Sequence, residues 1–543
     1  MERPLSIEKH TGHTPPEAAP IQEQPTNTSY EGQSRPAYDE TEKSRWERLW
    51  PVIACGAGLF SDGYLNGVIG FVSTMLGKIY PTAYASSPAQ RNVSSITFAG
   101  TVVGMLIFGY TSDHYSRKWS LFASTVILIA FAALSAGSYG AGGSSSGLFA
   151  ALTAWRFLLG IGIGGEYPAG SVGCAESTGE LKSGTRNRWF ILFTNVQIDI
   201  GFVVSALVPM IVTPAHKRCH PIESQSLTSL IGPHHGRKPP PRRLENLPRP
   251  RSHPTLSLLY LRLKLNEPEA YRRETMAKAK TPWLLVIKFY WWRLTIVSLI
   301  WFIYDFSGYS FSLFSSTIVD NLLGDNSPLW KSFGWTTLIY LFYLPGCIGG
   351  SFVSDWLGPK MTLGIGVLAQ GIVGFIMAGV YSYLAHPQNV AGFVIVYGVF
   401  LALGEFGPGD NIGLIASKSC ATAVRGQYYG IAAAIGKIGA FVGDQVLAIL
   451  YNRYKDTDPI KAGQYPFFVS SALCILSAGI AFFLLPHIGQ DTIDEEDVKF
   501  RAYLAENGYD VSQMGVQRES AEHIVGQTEV EGGNDVTEKV SKA

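Results

Sequence analysis

Apolar residues in this chain gather into long runs instead of alternating with polar ones at the period of a surface helix or a half-buried strand. Crossing about 30 Å of hydrocarbon takes roughly 20 predominantly apolar residues. Eleven runs reach that scale, at about 50–76, 93–111, 119–140, 148–174, 189–213, 294–317, 334–353, 361–384, 391–416, 428–450 and 466–486. The pattern predicts an all-α integral membrane protein, because a spanning segment has no water to bond and must satisfy its backbone polar groups internally. Each run exceeds the apolar core of a secretory leader, so the first helix is expected to serve as the targeting signal. Residues 1–45 ahead of it are polar and rich in Pro and Glu, which predicts a disordered tail.

Basic residues near the ends of the runs set the orientation. Lys43, Arg45 and Arg48, then Arg117 and Lys118, then Lys182, Arg186 and Arg188 fall on one side, while the stretch 135–147 carries no charge. That side is the cytoplasm, and the basic series Arg262, Arg272, Arg273, Lys278, Lys280 and Lys288 belongs there too. The series divides the chain into helical halves at 46–213 and 291–488, followed by an acidic tail at 489–543. Both termini are then cytoplasmic, and two halves of comparable length are the mark of a duplicated transporter.

The segment between the halves breaks the pattern. Residues 215–254 hold five of the eleven His, eight Pro and eight of the 43 Lys and Arg, against two acidic residues, Glu223 and Glu245. An odd crossing is needed here to return the chain to the cytoplasm, yet only 255–265 is apolar, which is too short. Twelve helices are therefore expected, with the sixth disrupted at 215–265 and 214–290 comprising its remnant and the central basic loop. The stretch 215–254 reads as translated non-coding sequence, such as a retained intron or a frameshift; a genuine insertion with a re-entrant helix is the alternative. His216 and His220 are spaced to share a metal ion, but nothing else supports that role and no metal is expected.

Composition agrees. Only 16% of residues are charged, against about 25% in soluble domains. The 43 basic residues nearly balance 42 acidic ones, so no global basic field supports nucleic-acid binding. Six scattered Cys lack metal-ligand spacing and suggest no disulfide framework.

Ionisable groups inside hydrocarbon are costly, so they mark pathways, proton relays or substrate contacts. Asp62, Glu166, Asp199 and Asp305 lie within runs, and Trp301, Asp305 and Tyr309 recur every four residues and share a helix face. A carboxylate in a medium of low dielectric can take up a proton on one side of a membrane and release it on the other. Lys437 lies deep in its run, whereas Lys418, near Arg425, is expected to snorkel to the cytoplasm. The run Gly160-Ile161-Gly162-Ile163-Gly164-Gly165 only loosely matches a dinucleotide fingerprint, lies within a span, and is better read as a close helix contact. Gly109 and Asp113 followed by Arg117 and Lys118 form a candidate gate, because a carboxylate at a helix C-terminus opposes the dipole and needs a partner. Asp355, Gly358, Pro359 and Lys360 repeat it in the second half.

These residues resemble the major facilitator superfamily, and within it the phosphate:proton symporters. Gly109, Asp113, Arg117 and Lys118 are similar to the superfamily's loop signature, with His114 and Ser116 in place of its usual basic residue and glycine; Arg156 with Gly160 and Gly162 is similar to its fourth-helix motif. The run from Gly160 to Pro168 resembles the phosphate-symporter signature, with Glu166 where many members have Asp. Trp301, Asp305, Tyr309 and Lys437 match substrate positions of that family. Phosphate transporters read Gly-Pro-Asn where this chain has Gly407-Pro408-Gly409-Asp410-Asn411, and losing that side chain makes room for a larger cargo. The segments 406–418 and 485–504 resemble fungal glycerophosphoinositol permeases.

The resemblance implies a major facilitator fold of two six-helix halves and proton-coupled import of a small anionic glycerophosphodiester, such as glycerophosphoinositol or glycerophosphocholine. The cell would be fungal, the membrane the plasma membrane and the protein a monomer. It implies substrate contacts at Tyr167, Gln197, Trp301, Asp305, Tyr309, Asn411 and Lys437, proton coupling at Asp62, Glu166 and Asp305, and gating by Gly109, Asp113, Arg117, Lys118, Arg156, Asp355 and Lys360. A proton gradient replaces any cofactor. No nucleophile and base are paired, so an enzyme is not expected. An inorganic phosphate:proton symporter is the near alternative, a non-transporting nutrient sensor the distant one.

Overall fold

The computed structural model describes residues 44–85, 87–219, 254–277, 279–324, 327–489 and 492–515. Among them there is no strand, and eleven helices are long and apolar enough to span a membrane. The first five are α1 (Trp46–Ile79), α2 (Pro88–His114), α3 (Arg117–Ala136), α4 (Ser145–Thr178) and α5 (Arg186–Ile211). Two short helices follow, α6 (Pro254–Leu263) and α7 (Glu269–Glu274). The second set is α8 (Trp283–Leu323), α9 (Leu329–Leu357), α10 (Pro359–Leu384), α11 (Pro387–Lys418), α12 (Thr422–Tyr454) and α13 (Pro459–Leu484). A surface helix, α14 (Thr492–Glu506), ends the described bundle.

Local chemistry marks the helix ends. Ser87, Ser116 and Ser144 precede α2, α3 and α4, and each side chain accepts a bond from a backbone N–H of the first turn. Gly358 adopts φ 82° between α9 and α10, a left-handed conformation that a side chain would strain, and Pro359 opens the next helix. The 41 residues of α8 extend about 60 Å, so its first turns project beyond the hydrocarbon. Leu106, Ile107, Phe352 and Ile376 are exposed on the outside of the bundle, where lipid is the solvent.

The glycines of α4 work as close contacts. A methyl built on Gly160 or Gly164 would fall 2.2 or 2.3 Å from the carbonyl oxygens of Thr97 or Thr101 on α2, and one on Gly162 would press on Leu128 of α3. The two halves meet where α2 packs on α12 and α5 on α9, with α1 against α8.

The expected disruption of a sixth helix at 215–265 falls largely outside the described residues, which resume at Pro254. Near the end of α5, Met210 contacts Thr337 in the first half of α9, far from the bundle end at which Arg188 pairs with Asp355. The chain reappears with Arg262 beside Leu121 and Thr125 of α3, then reaches the Asp113 end, where the Tyr271 hydroxyl donates to the Asp113 carbonyl. The described helix of α5 continues to Cys219, and the ten residues of α6 are the described part of the connection that returns the chain to the Asp113 end. Arg262 corrects its sequence assignment: it is fully buried in the bundle, not in a cytoplasmic loop. The tails at 1–43 and 516–543, His220 and residues 221–253 lie outside the described residues; so does the His216 side chain.

Candidate functional site

The cavity between the halves is shaped by two irregular turns. In α4, residues Glu166–Ser171 form a wide π-type turn, and in α11, residues Glu405–Gly409 do the same. Each contains a proline, Pro168 or Pro408, whose missing N–H interrupts the four-residue ladder and favours such a bulge. Both sit in the fourth span of their half. The turns set Tyr167 and Glu405 on opposite parts of one cavity wall, lined also by Asn195, Asp199, Trp301, Tyr304, Asp305, Tyr309, Gly409, Asp410 and Lys437.

One end of the cavity is built around a buried ion pair. Lys437 Nζ lies 3.2 Å from Asp305 Oδ2, with both side chains about 1% exposed. The ammonium also stands 3.4 Å from the centre of the Tyr309 ring and 5.1 Å from that of Tyr167, positions that favour a cation over aromatic faces. Trp301 packs edge-on to Tyr429, with ring centres 5.4 Å apart. Behind the tyrosines, Asp62 Oδ2 accepts from the hydroxyls of Tyr167 at 2.7 Å and Tyr309 at 2.8 Å, and Oδ1 accepts from Asn66 at 2.8 Å. Asp62 thus ties α1 and α4 of one half to α8 of the other.

The other end is acidic. Glu405 accepts from the Tyr304 hydroxyl at 3.1 Å and from the Asn195 amide at 3.1 Å; the same amide donates to Asp410 Oδ1 at 3.0 Å. Asp199 Oδ2 and Asp410 Oδ2 are buried without a hydrogen-bond partner. Lys437 is the only Lys or Arg among the described residues lining the cavity.

Most of the candidate gate residues assemble at one end of the bundle. Asp113 Oδ1 accepts from Arg117 at 2.5 Å and from the Gly426 N–H at 2.9 Å, and Oδ2 accepts from the Gln427 N–H at 2.8 Å. The carboxylate that opposes its own helix dipole therefore caps the N-terminus of α12 in the other half. Asp355 mirrors it, accepting from the Arg188 N–H at 3.2 Å near the start of α5. Glu176 joins the first cluster, pairing with Arg117 at 2.9 Å and Arg425 at 3.1 Å, all three buried. Lys360 donates to the Leu485 carbonyl at 2.5 Å, and the Lys118 N–H donates to Glu267.

Several predicted residues lie elsewhere. Glu166 does not line the cavity: it faces α3 and α6, accepting from Ser124 at 3.0 Å and pairing with Arg262, with one contact at 2.5 Å. Gln197 points away, its amide donating to the Leu192 carbonyl, while Asn195 and Asp199 on the adjoining turns face the cavity. Asn411 is bound by Ser354 at 2.6 Å and the Gly407 carbonyl at 2.8 Å, leaving the cavity to Asp410. Arg156 donates to the Val93 carbonyl near the start of α2, remote from Asp113 at its end. Lys418 does not snorkel: it is 1% exposed and donates to Asn187 at 2.6 Å. Glu405, Glu176 and Tyr304 were missed by sequence reasoning. Glu405 carries the signal that found Asp62, an ionisable residue inside an apolar run.

Two helical halves, a polar cavity between them and charged contacts crossing their boundary define a multi-pass transporter of the major facilitator type. The sequence profile described as "Sugar (and other) transporter" matches residues 50–223 and 264–500, leaving 224–263 unmatched. The chain belongs to this family. It is 46% identical over 487 residues to the "Glycerophosphocholine permease GIT4" of Candida albicans, covering 88% of this chain and 86% of that protein. It is also 46% identical over 476 residues to the "Major glycerophosphoinositol permease GIT3" of the same organism, covering 86% and 84%. Among solved structures, the proton:xylose symporter XylE bound to 6-bromo-6-deoxy-D-glucose superposes with a TM-score of 0.63, covering 83% of this chain and 98% of that one at 17% identity, a likeness of fold.

Proposed function

We propose that the protein imports glycerophosphodiesters across the plasma membrane of a fungal cell, with both termini in the cytoplasm, and couples uptake to protons. The observation that carries this reading is Lys437, a buried ammonium facing the cavity with Asp305 as its counter-ion. An anionic phosphodiester that takes Lys437 removes the cation that balances Asp305, and binding a proton restores neutrality there. Asp62, held by Tyr167 and Tyr309, is the second coupling group. Glu166, already neutralised by Arg262, holds α4 against α3 and α6 in this scheme. Trp301, Tyr309 and Tyr167 shape the phosphate end of the site. The relatives' cargo supports the substrate class.

Uptake in cells lacking endogenous transporters tests the proposal, with labelled glycerophosphoinositol, glycerophosphocholine and inorganic phosphate compared at pH 5 and pH 7. Uptake of a phosphodiester that is stronger at the acidic pH is expected. Equal uptake at both pH values would remove proton coupling, and a preference for inorganic phosphate would overturn the cargo.

A further inference from the structure

Relatives whose names specify choline and inositol head groups are equally similar to this chain, so overall likeness does not choose between them. The cavity wall does. Building on the glycerophosphodiester site, we infer that the preferred cargo is zwitterionic: Lys437 receives its phosphate, and Glu405, Asp199 and Asp410 receive a cationic ammonium head group.

Lys437 is already balanced by Asp305, which leaves three further carboxyl groups on the cavity wall with no second Lys or Arg among the described lining residues. A buried carboxyl group left without a partner carries a desolvation cost, which a cation brought to it would relieve. A phosphate alone would be repelled by this end, and a neutral polyol offers hydroxyls but no balancing charge. A zwitterion presents a negative group to Lys437 and a positive one to the acidic end. Asp199 Oδ2 and Asp410 Oδ2, on side chains each 1% exposed, have no partner, which leaves acceptors for such a group. Tyr304 adds an aromatic wall beside Glu405, suited to an alkylated ammonium.

The backbone is shaped for this end of the cavity. A methyl built on Gly409 would lie 2.2 Å from Glu405 Oε2 and 2.7 Å from the Tyr304 hydroxyl, and one on Gly350 would lie 2.2 Å from Asp410 Oδ2. Bare α-carbons let both carboxylates stand where they do. Gly409 thus does more than enlarge the cavity: it admits the Glu405 carboxylate.

The test measures uptake efficiency for glycerophosphocholine and glycerophosphoinositol on the same transporter-null cells, so that their ratio is independent of how much protein reaches the membrane. The parent should favour glycerophosphocholine by about tenfold or more, the scale of one charge-assisted contact. Glu405→Gln removes the charge and Gly409→Ala displaces it, and each should lower the ratio severalfold. A parent that favours glycerophosphoinositol, or treats both alike, overturns the inference and leaves the phosphodiester reading standing. A Glu405→Gln variant in which both activities fall together while the pH profile shifts also overturns it, assigning the acidic end to proton transfer. Uptake of neither phosphodiester by the parent sinks the underlying reading and this inference together.

Discussion

At the scale of the residue, the Lys437–Asp305 pair separates stability from transport. Removing one member of a buried pair strands the other charge, at a cost of about 3–5 kcal/mol, whereas removing both leaves no stranded charge. Lys437→Gln and Asp305→Asn should each lower the unfolding temperature in detergent and cut uptake at least about tenfold. The double variant should regain most of the unfolding temperature without regaining uptake. Recovery of uptake in the double variant, or parental uptake by Asp305→Asn, would remove the pair from the pathway. These two residues and Asp62 were legible in the sequence because an ionisable group in an apolar run has no cheap structural explanation, and Trp301 and Tyr309 because they recur with Asp305 every four residues. Gln197 and Asn411 were not, because positions one or two residues along a helix face about 100° or 200° away: Asn195 and Asp199 flank Gln197 at two positions, and Asp410 precedes Asn411 by one.

At the scale of the element, the α4 glycines predict a packing failure. Gly164→Val places branched carbons against the Thr101 carbonyl of α2, and overpacking of this kind costs roughly 1–3 kcal/mol or more. Reduced yield of folded, membrane-inserted protein is expected, read by detergent-resistant fluorescence of a tagged chain; parental yield would refute the close contact. The surface helix α14 makes a different prediction. Asp497 accepts from the N–H and hydroxyl of Thr422 at 2.6 and 2.7 Å, and lies 3.8 Å from Arg425. Burial pushes its carboxyl up from 3.8 to about 6, opposed by Arg425 and the Thr422 bonds, with Glu274 adding a smaller upward push. Because the folded value exceeds the ordinary one, protonation favours the docked helix: this stabilisation is complete below about 4 and is lost as pH rises through 6. Protease cleavage near α14 should therefore slow as pH falls from 7 to 5, and Asp497→Asn should flatten that response.

At the scale of the whole molecule, contacts join the two halves at both ends of the bundle. Arg117, Glu176 and Arg425 join the halves at one end. At the other, Lys78 of α1 pairs with Asp320 of α8 at 2.8 Å, and Thr74 bonds Ser316 at 3.0 Å. Lys78→Ala should shift the population toward opening at that end and Glu176→Gln toward opening at the gate end, read as opposite changes in the labelling of cysteines placed on either side of the cavity; the same direction for both would contradict paired gates. The anomalous segment before Arg262 belongs to this scale as well. Sequencing the transcript across Pro214 to Leu256 should reveal a frame that restores a full helix, and an unbroken frame encoding the present residues would exclude the non-coding origin of 215–254. The sequence alone determined the membrane class and most of the intramembrane charges, because hydrocarbon penalises polar groups wherever they stand and so leaves a one-dimensional record. Only the tertiary structure decided which charges meet. Glu166 pairs with Arg262, Asp113 caps a helix of the opposite half, and Glu405 enters the cavity because Gly409 leaves space for it; each depends on distances across helices far apart in the chain.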